Sequence, residues 1–149
     1  MTQAYSLVEK DSYWEIPLQG RSVSRLMVDY GLTIQFLEPE SEKTEIRIGG
    51  KFHFQVNGKD WELCAETKPT ELGPVFGIMA KTVKSALAFK DGRLEIDFAE
   101  GGKLTVMPDH AYEAWDVAGA RWLRIVCLPG GGLETWQADP SESSGDKKH

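Results

Sequence analysis

The segment from Asp109 to Trp136 concentrates side chains that could do chemistry. It reads DHAYEAWDVAGARWLRIVCLPGGGLETW and holds three of the five tryptophans, one of the two cysteines and one of the three histidines. Asp109, His110 and Glu113 could offer carboxylate and imidazole ligands to a metal ion. Cys127 could act as a nucleophile beside a histidine. Each possibility competes with an ordinary role in a turn or in the core.

The spacing of these residues favours neither kind of centre. No two of His53, His110 and His149 fall at ligand spacing on one element, whereas dedicated zinc sites show clear Cys/His spacing. Cys64 and Cys127 both lie in apolar, strand-like runs, where we expect small buried thiols rather than a disulfide. The sequence therefore predicts no metal, no cofactor and no catalytic residue.

The glycine-rich stretch PGGGLETW does not predict a phosphate site either. It lacks the Lys-Ser/Thr pair of a P-loop, and no helical pattern follows it, so no helix N-terminus is available to hold phosphate. Residues 130–132 are instead predicted to form a hairpin between LRIVCLP and LETWQ.

Hydrophobic alternation with a period of two dominates the chain and predicts strands. RLMVDYGLTIQF predicts one long half-buried strand, with Asp29 solvated on its polar face, or paired with Arg25 or Arg47 if that face is covered. Asn57-Gly58, Asp91-Gly92 and Gly101-Gly102 predict two-residue type I′ turns. Residues 82–107 are accordingly predicted to form an antiparallel meander.

One segment has a helical pattern instead. TELGPVFGIMAK places apolar residues at spacing i, i+3, i+4 and i+7, which are Leu72, Val75, Phe76 and Met79. This stripe predicts one short helix near residues 70–81. The helix is capped by Thr70, or else Gly73 is the cap and Pro74 the first helical residue.

Together these patterns predict an α+β fold that is mainly antiparallel β, with eight to ten strands. The alternatives are a curled sheet, a sandwich or a partly open barrel, with the one short helix. We expect an N-terminal extension over residues 1–12, a single β-rich domain over 13–137 and a disordered tail over 138–149, since the tail is rich in Ser, Asp and Lys.

The composition excludes several classes of partner. The net charge of −6 argues against nucleic acid, because neutralising phosphates needs a basic face. No apolar run reaches the roughly 18 residues of a membrane span, and the first residues lack the apolar core of a signal peptide. We therefore expect a cytoplasmic protein whose acidic surface suits a basic protein partner. The oligomeric state stays open.

The loop HAYEAWD is the best candidate for a partner-facing surface. Tyr112 and Trp115 lie three residues apart in it, as do Glu113 and Asp116, and tryptophan is a favoured anchor at interfaces. In an extended conformation, Glu113, Trp115 and Val117 share one face. Two or three tryptophans are expected in the core and one or two beside a groove. The predicted binding residues are Trp14, His110, Tyr112, Glu113, Trp115 and Asp116.

Several fragments together resemble a known family. YWEIPLQGRSVSRLMVDYGLTIQF, DGRLEIDFAEGGKLTV, YEAWDV, IVCLPGG and ETW follow in this order. They resemble a family of small uncharacterised bacterial proteins, common in actinobacteria, over residues 13–137. The hairpin DGRLEIDFAEGGKLTV, followed by YEAW, is also similar to immunity proteins of bacterial toxin systems. That resemblance implies a cytosolic binder that blocks one cognate toxin and catalyses nothing.

The sequence thus predicts a non-enzymatic protein-binding module, with toxin immunity as its sharpest form. The alternative is a small-molecule binder that uses a barrel mouth lined by Trp14, Trp61 and Trp115. An enzymatic function would require Asp29, His110, Glu113 and Cys127 to converge.

Overall fold

Two antiparallel β-sheets make up the fold, in a computed structural model that describes residues 6–37 and 43–137. In chain order the strands are β1 (Val8–Glu9), β2 (Tyr13–Glu15), β3 (Val23–Val28), β4 (Leu32–Phe36), β5 (Thr44–Ile48), β6 (Lys51–Val56), β7 (Lys59–Cys64), β8 (Val83–Phe89), β9 (Leu94–Phe98), β10 (Lys103–Val106), β11 (Trp115–Ala118), β12 (Arg124–Cys127) and β13 (Leu133–Trp136). The first sheet has the order β1-β2-β8-β9-β10-β6-β7, and the second has the order β13-β12-β11-β5-β4-β3.

Both sheets contribute their inward-facing residues to one hydrophobic core. Phe52 and Ile96 come from the first sheet, and Ile34, Ile46 and Val117 come from the second. The alternation of buried and exposed residues along these strands is the pattern that the sequence predicts. The mainly antiparallel β fold is therefore confirmed, and the described strands form open sheets rather than a closed barrel.

The single long strand predicted over RLMVDYGLTIQF is wrong, because a tight turn divides it into β3 and β4. Asp29 accepts a hydrogen bond from the Gly31 N–H at 2.8 Å and donates its own N–H to the Gly31 carbonyl at 3.0 Å. Val28 then pairs with Leu32. A turn of three residues preserves side-chain parity, so the hydrophobic alternation runs through it unbroken. Tyr30, at the tip, is 82% exposed.

The short helix predicted near residues 70–81 is present, but it is not the α-helix that the spacing i, i+3, i+4 and i+7 indicates. The chain instead forms two short 3₁₀ helices, Pro69–Glu71 and Gly73–Ile78, with Pro74 in the first turn of the second. Leu72, Val75 and Ile78 are buried at a spacing of three, whereas Phe76 and Met79 are exposed. Side chains three residues apart eclipse one another in a 3₁₀ helix, so the buried stripe follows a period of 3.0 rather than 3.6.

The predicted hairpins form, and residues 82–107 are the predicted antiparallel meander of β8, β9 and β10. Of the three turns predicted to have two residues, only Asn57-Gly58 does, with both φ angles positive at 54° and 76°. The loop of residues 90–92 is closed by a hydrogen bond from the Phe89 N–H to the Arg93 carbonyl at 2.7 Å. Residues 99–101 are closed in the same way, so these two loops are one residue longer than predicted.

The chain ends that the structure describes meet at one side of the fold. Within the predicted N-terminal extension, Leu7 packs in the core and β1 pairs with β2. The Leu7 N–H donates to the Gln137 side-chain oxygen at 3.0 Å. The predicted disordered tail, residues 138–149, lies outside the described residues. In the described ranges no helix has the length and apolar character that crossing a membrane requires.

Candidate binding face

The outer face of the second sheet presents two rows of side chains that follow from the strand register. Because cross-strand partners point to the same side of a sheet, each row can be traced across all six strands. One row is Arg25, Gln35, Glu45, Ala118, Arg124 and Trp136; the other is Met27, Thr33, Arg47, Asp116, Val126 and Glu134. At about 4.8 Å per strand, these rows cross roughly 24 Å. We call this surface the outer face.

Polar contacts tie neighbouring strands together across the outer face. The Gln35 amide donates to the Glu45 carboxylate. Arg47 donates to the Thr33 hydroxyl at 3.3 Å. Arg124 forms an ion pair with Asp116 at 3.2 Å. These contacts hold the side chains in place on a sheet that already fixes their backbones.

Asp116 is an acid of this face whose pKa is raised. Burial raises its pKa above the ordinary value, the positive charge of Arg124 acts in the opposite direction, and the nearby Glu113 carboxylate raises it further. The ion pair with Arg124 therefore offsets a desolvation cost.

Asp29 shows the reverse behaviour at the far edge of the sheet. Its side chain is largely exposed, as predicted for an uncovered face, and it still pairs with Arg47 at 3.0 Å. The hydrogen bond from the Gly31 N–H, followed by the one from Arg47, lowers the pKa of Asp29. This carboxylate caps a turn and stays ionised.

A groove opens on the part of the outer face that β11, β12 and β13 form. Its volume is about 660 Å³. Two tryptophans border it: Trp122 is 82% exposed and Trp136 is 49% exposed. The lining residues are Glu113, Ala118, Gly119, Trp122, Leu123, Arg124, Val126, Glu134 and Trp136. We call this the tryptophan groove.

The turn that carries Trp122 is conformationally expensive. Arg121 and Trp122 have φ angles of 60° and 64°, and the Leu123 N–H donates to the Ala120 carbonyl at 3.2 Å. This is the backbone of a type I′ turn, which Asn-Gly normally occupies. Left-handed non-glycine residues cost about 1–3 kcal/mol each and cluster at functional sites.

The predicted binding residues separate into two groups. His110, Tyr112 and Glu113 are exposed on the loop between β10 and β11, and Asp116 is half-buried on the outer face. Of the predicted set, Glu113 lines the tryptophan groove, and Asp116 lies close enough for the charge of Glu113 to act on it.

The two tryptophans of the predicted set lie elsewhere. Trp115 is 1% exposed, and its indole N–H donates to the Gly92 carbonyl at 2.9 Å. It shares the inward side of β11 with Val117, as predicted, and that side is the core. Trp14 is half-buried against the core from β2 of the other sheet. Neither indole is presented on the outer face.

The glycine-rich hairpin has a structural role, packing against the Asp91-Gly92 turn of the first sheet. A Cβ on Gly131 would lie 2.8 Å from the Asp91 carbonyl oxygen, and one on Gly92 would lie 3.1 Å from the Gly131 Cα. We call this contact the glycine seam. The segments DG, YEAW and IVCLPGG, on which the family resemblance rests, meet at this contact. The Gly92 carbonyl accepts the hydrogen bond from the Trp115 indole, and the Cys127 thiol lies 3.3 Å from the same carbonyl.

Cys127 is buried, as predicted, and burial raises its thiol pKa. A buried thiol with a raised pKa is a poor nucleophile. Cys64 is half-buried, and both cysteines are free. Asp29 lies in the turn between β3 and β4, and Cys127 is the last residue of β12. In the second sheet, β12 is three strand positions from β4. At about 4.8 Å per strand, roughly 14 Å separate these strands, which excludes a direct hydrogen bond between the two side chains.

Other candidate centres are also dispersed. Among residues 6–37 and 43–137, no group of three or more His, Cys, Asp or Glu residues could hold a metal ion. Trp14 on β2 and Trp61 on β7 lie five strand positions apart in the first sheet. The tryptophans proposed to line a barrel mouth therefore do not share one cavity.

Trp122, Trp136 and Arg124 are the residues of this face that sequence reasoning does not single out. The available signal is the parity of β12 and β13, which places Arg124 and Trp136 opposite one another. The sequence of the Ala120–Leu123 turn gives no such signal, since it contains no glycine or asparagine.

Comparison with known proteins gives one match. The sequence model of a family of unknown function, DUF6188, matches residues 14–137. The searches of curated proteins and of solved structures found no match.

Proposed function

The chain belongs to the DUF6188 family, and we propose that it is a non-enzymatic module that binds another protein through its outer face. One observation carries this proposal: Trp122, 82% exposed, is displayed on a strained turn beside the half-exposed Trp136. Tryptophan, tyrosine and arginine are the residue types most enriched among binding hot spots. An exposed indole that also costs backbone strain is best accounted for by a partner.

The shape of the outer face favours a protein over a small molecule. Small-molecule sites are concave and enclose most of their ligand. The outer face is a row of six strands, roughly 24 Å across, and the tryptophan groove opens along it. Its centre is already organised by the Arg124–Asp116 pair, so little side-chain entropy remains to be lost on binding.

Toxin immunity is the sharpest form of this proposal. The chain has a net charge of −6, which attracts a basic partner and accelerates its association. The resemblance of DGRLEIDFAEGGKLTV and YEAW to immunity proteins points in the same direction. We propose that the partner is a basic toxin domain and that binding blocks it.

The test is binding to the purified product of the neighbouring reading frame, measured by calorimetry. Trp122→Ala should weaken binding by at least about 30-fold, which corresponds to roughly 2 kcal/mol for a hot-spot residue. Tyr30→Ala is the matched control, because Tyr30 is equally exposed at 82%. It lies at the opposite edge and the opposite end of the sheet, so its loss should leave affinity unchanged.

Two results would contradict the proposal. One is the lack of a complex at micromolar concentration with that product. The other is an equal loss of affinity in Trp122→Ala and Tyr30→Ala, since that would place the contact elsewhere. Urea unfolding of both variants checks that each remains folded.

A further inference from the structure

We propose that the tryptophan groove receives a lysine or arginine side chain of the partner protein. This inference rests on the proposed function and deepens it, because it states which chemistry of the partner is recognised. It follows from the nature of the walls, from the charges around them and from the backbone that displays Trp122.

The walls of the groove suit an amphipathic cation. Trp122 and Trp136 supply exposed indoles, and Val126 and Ala118 lie between the charged residues of the two rows. A cation within about 6 Å of an indole face is attracted by the ring, and tryptophan is the strongest such partner. The methylene stem of lysine or arginine packs on apolar surface while its head group stays polar.

The groove keeps a net negative charge, because its lining arginine is already neutralised by an ion pair. Arg124 is paired with Asp116 at 3.2 Å. Glu113 and Glu134 also line the groove, and within the described part of the chain neither of their carboxylates forms an ion pair or a hydrogen bond. Two carboxylates are thus left beside the indoles, and a cationic side chain complements both.

The alternatives fit this arrangement less well. An acidic side chain would meet Glu113 and Glu134 as like charges. A purely apolar side chain would desolvate those carboxylates without compensation. A second copy of the chain would have to place its own lysine or arginine in the groove. Such self-association would make the indole N–H signals depend on the protein concentration.

The experiment is a titration of the ¹⁵N-labelled full chain, followed by the indole N–H signals in NMR spectra. The probes are N-acetyl-argininamide and its neutral isostere N-acetyl-citrullinamide. We expect the arginine probe to shift the Trp122 and Trp136 signals with about two- to fivefold tighter binding than citrulline. The Trp115 signal is the internal control, because that indole is buried and hydrogen-bonded.

Replacing both groove carboxylates separates charge from shape. In Glu113→Gln/Glu134→Gln the preference for arginine should fall, because the contribution of the carboxylates is lost while the indole faces remain; weak binding of both probes should persist. Glu71→Gln is the matched control, since Glu71 is an exposed acid on a 3₁₀ helix away from the groove, and it should keep the preference. Equal binding of the two probes to the unaltered protein would overturn the inference, as would a preference that the double replacement leaves undiminished.

The outcomes also separate this inference from the proposed function. If the arginine probe shows no preference but Trp122→Ala still weakens the protein complex, the cation site fails and the binding module stands. If the probe binds as expected but Trp122→Ala leaves the complex unchanged, the proposed function fails and the cation site stands.

Discussion

Replacing Gly131 by alanine tests the glycine seam, and Gly130→Ala is its built-in control. The two glycines are adjacent in one hairpin, and both have positive φ angles, at 81° for Gly130 and 111° for Gly131. They differ in the space around them. A Cβ on Gly130 meets nothing within 4 Å, whereas one on Gly131 lies 2.8 Å from the Asp91 carbonyl oxygen.

The expected costs follow from these two environments. A left-handed alanine costs about 1–2 kcal/mol, and the stiffer unfolded chain returns about 0.4–1 kcal/mol. Gly130→Ala should therefore lower the free energy of unfolding by about 1 kcal/mol. Gly131→Ala adds the displacement of the Asp91 carbonyl, and overpacking of this kind costs about 1–3 kcal/mol. Its total should be roughly 2–4 kcal/mol.

Urea denaturation followed by circular dichroism measures both values under the same conditions. The decisive quantity is the difference between the two variants, because the denatured-state contribution largely cancels in it. Equal losses within about 0.5 kcal/mol would refute the reasoning. They would mean that the two turns can move apart at no cost in free energy, and that the glycine seam does not fix the position of one sheet against the other.

Two further predictions concern the raised pKa of Asp116 and the unequal burial of Leu72 and Phe76. Because burial raises the folded-state pKa of Asp116, the folded protein binds that proton more readily than the unfolded chain. The unfolding free energy of the unaltered protein should therefore increase relative to that of Asp116→Asn as the pH falls from about 7 to about 4. Urea titrations measure both values, and a difference between the two proteins that stays constant over this pH range would contradict the assignment. Leu72→Ala should lower the unfolding free energy by about 2–5 kcal/mol and Phe76→Ala by less than about 1 kcal/mol, since Leu72 is buried and Phe76 is 46% exposed. Similar losses in the two variants would mean that both side chains are buried, as in the α-helix that the sequence pattern indicates.

Much of the strand pattern is predictable because side-chain alternation is a local property. Phe52 and Phe54 both face the core, as strand alternation with a period of two requires, and the Asn57-Gly58 turn has the φ angles that its residues favour. The pairing of strands is not predictable in this way. β5 pairs with β11 and β6 with β10, and nothing in the local sequence distinguishes these partners from others of equal hydrophobicity.

The two local errors have a common physical origin, which is that hydrophobic periodicity does not report backbone geometry. The turn at Asp29–Gly31 keeps parity, so only the Asp-x-Gly spacing and its side-chain hydrogen bond reveal the reversal. In the 70–81 segment, buried residues three apart and residues of an α-helical stripe overlap at Leu72 and Val75. The exposed Phe76 separates the two, and its exposure depends on packing.

The candidate site is less predictable than the fold. Tryptophan is chiefly a core residue, and Trp115 follows that rule while Trp122 does not. What exposes Trp122 is a left-handed turn at Arg121 and Trp122, a conformation that their residue types disfavour. The loop predicted as partner-facing contributes Glu113 to the groove, because Glu113 lies two residues before the start of β11.

The nested pairing of the strands sets the order in which this chain can finish folding as it leaves the ribosome. β5 must wait for β11, some seventy residues later in the sequence, before the second sheet extends beyond three strands. Until then Ile46 and Ile48 belong to an unprotected sheet edge, a state that invites aggregation and lengthens folding. Slow translation or a chaperone acting at that stage should therefore govern the yield of native protein more than the final stability does.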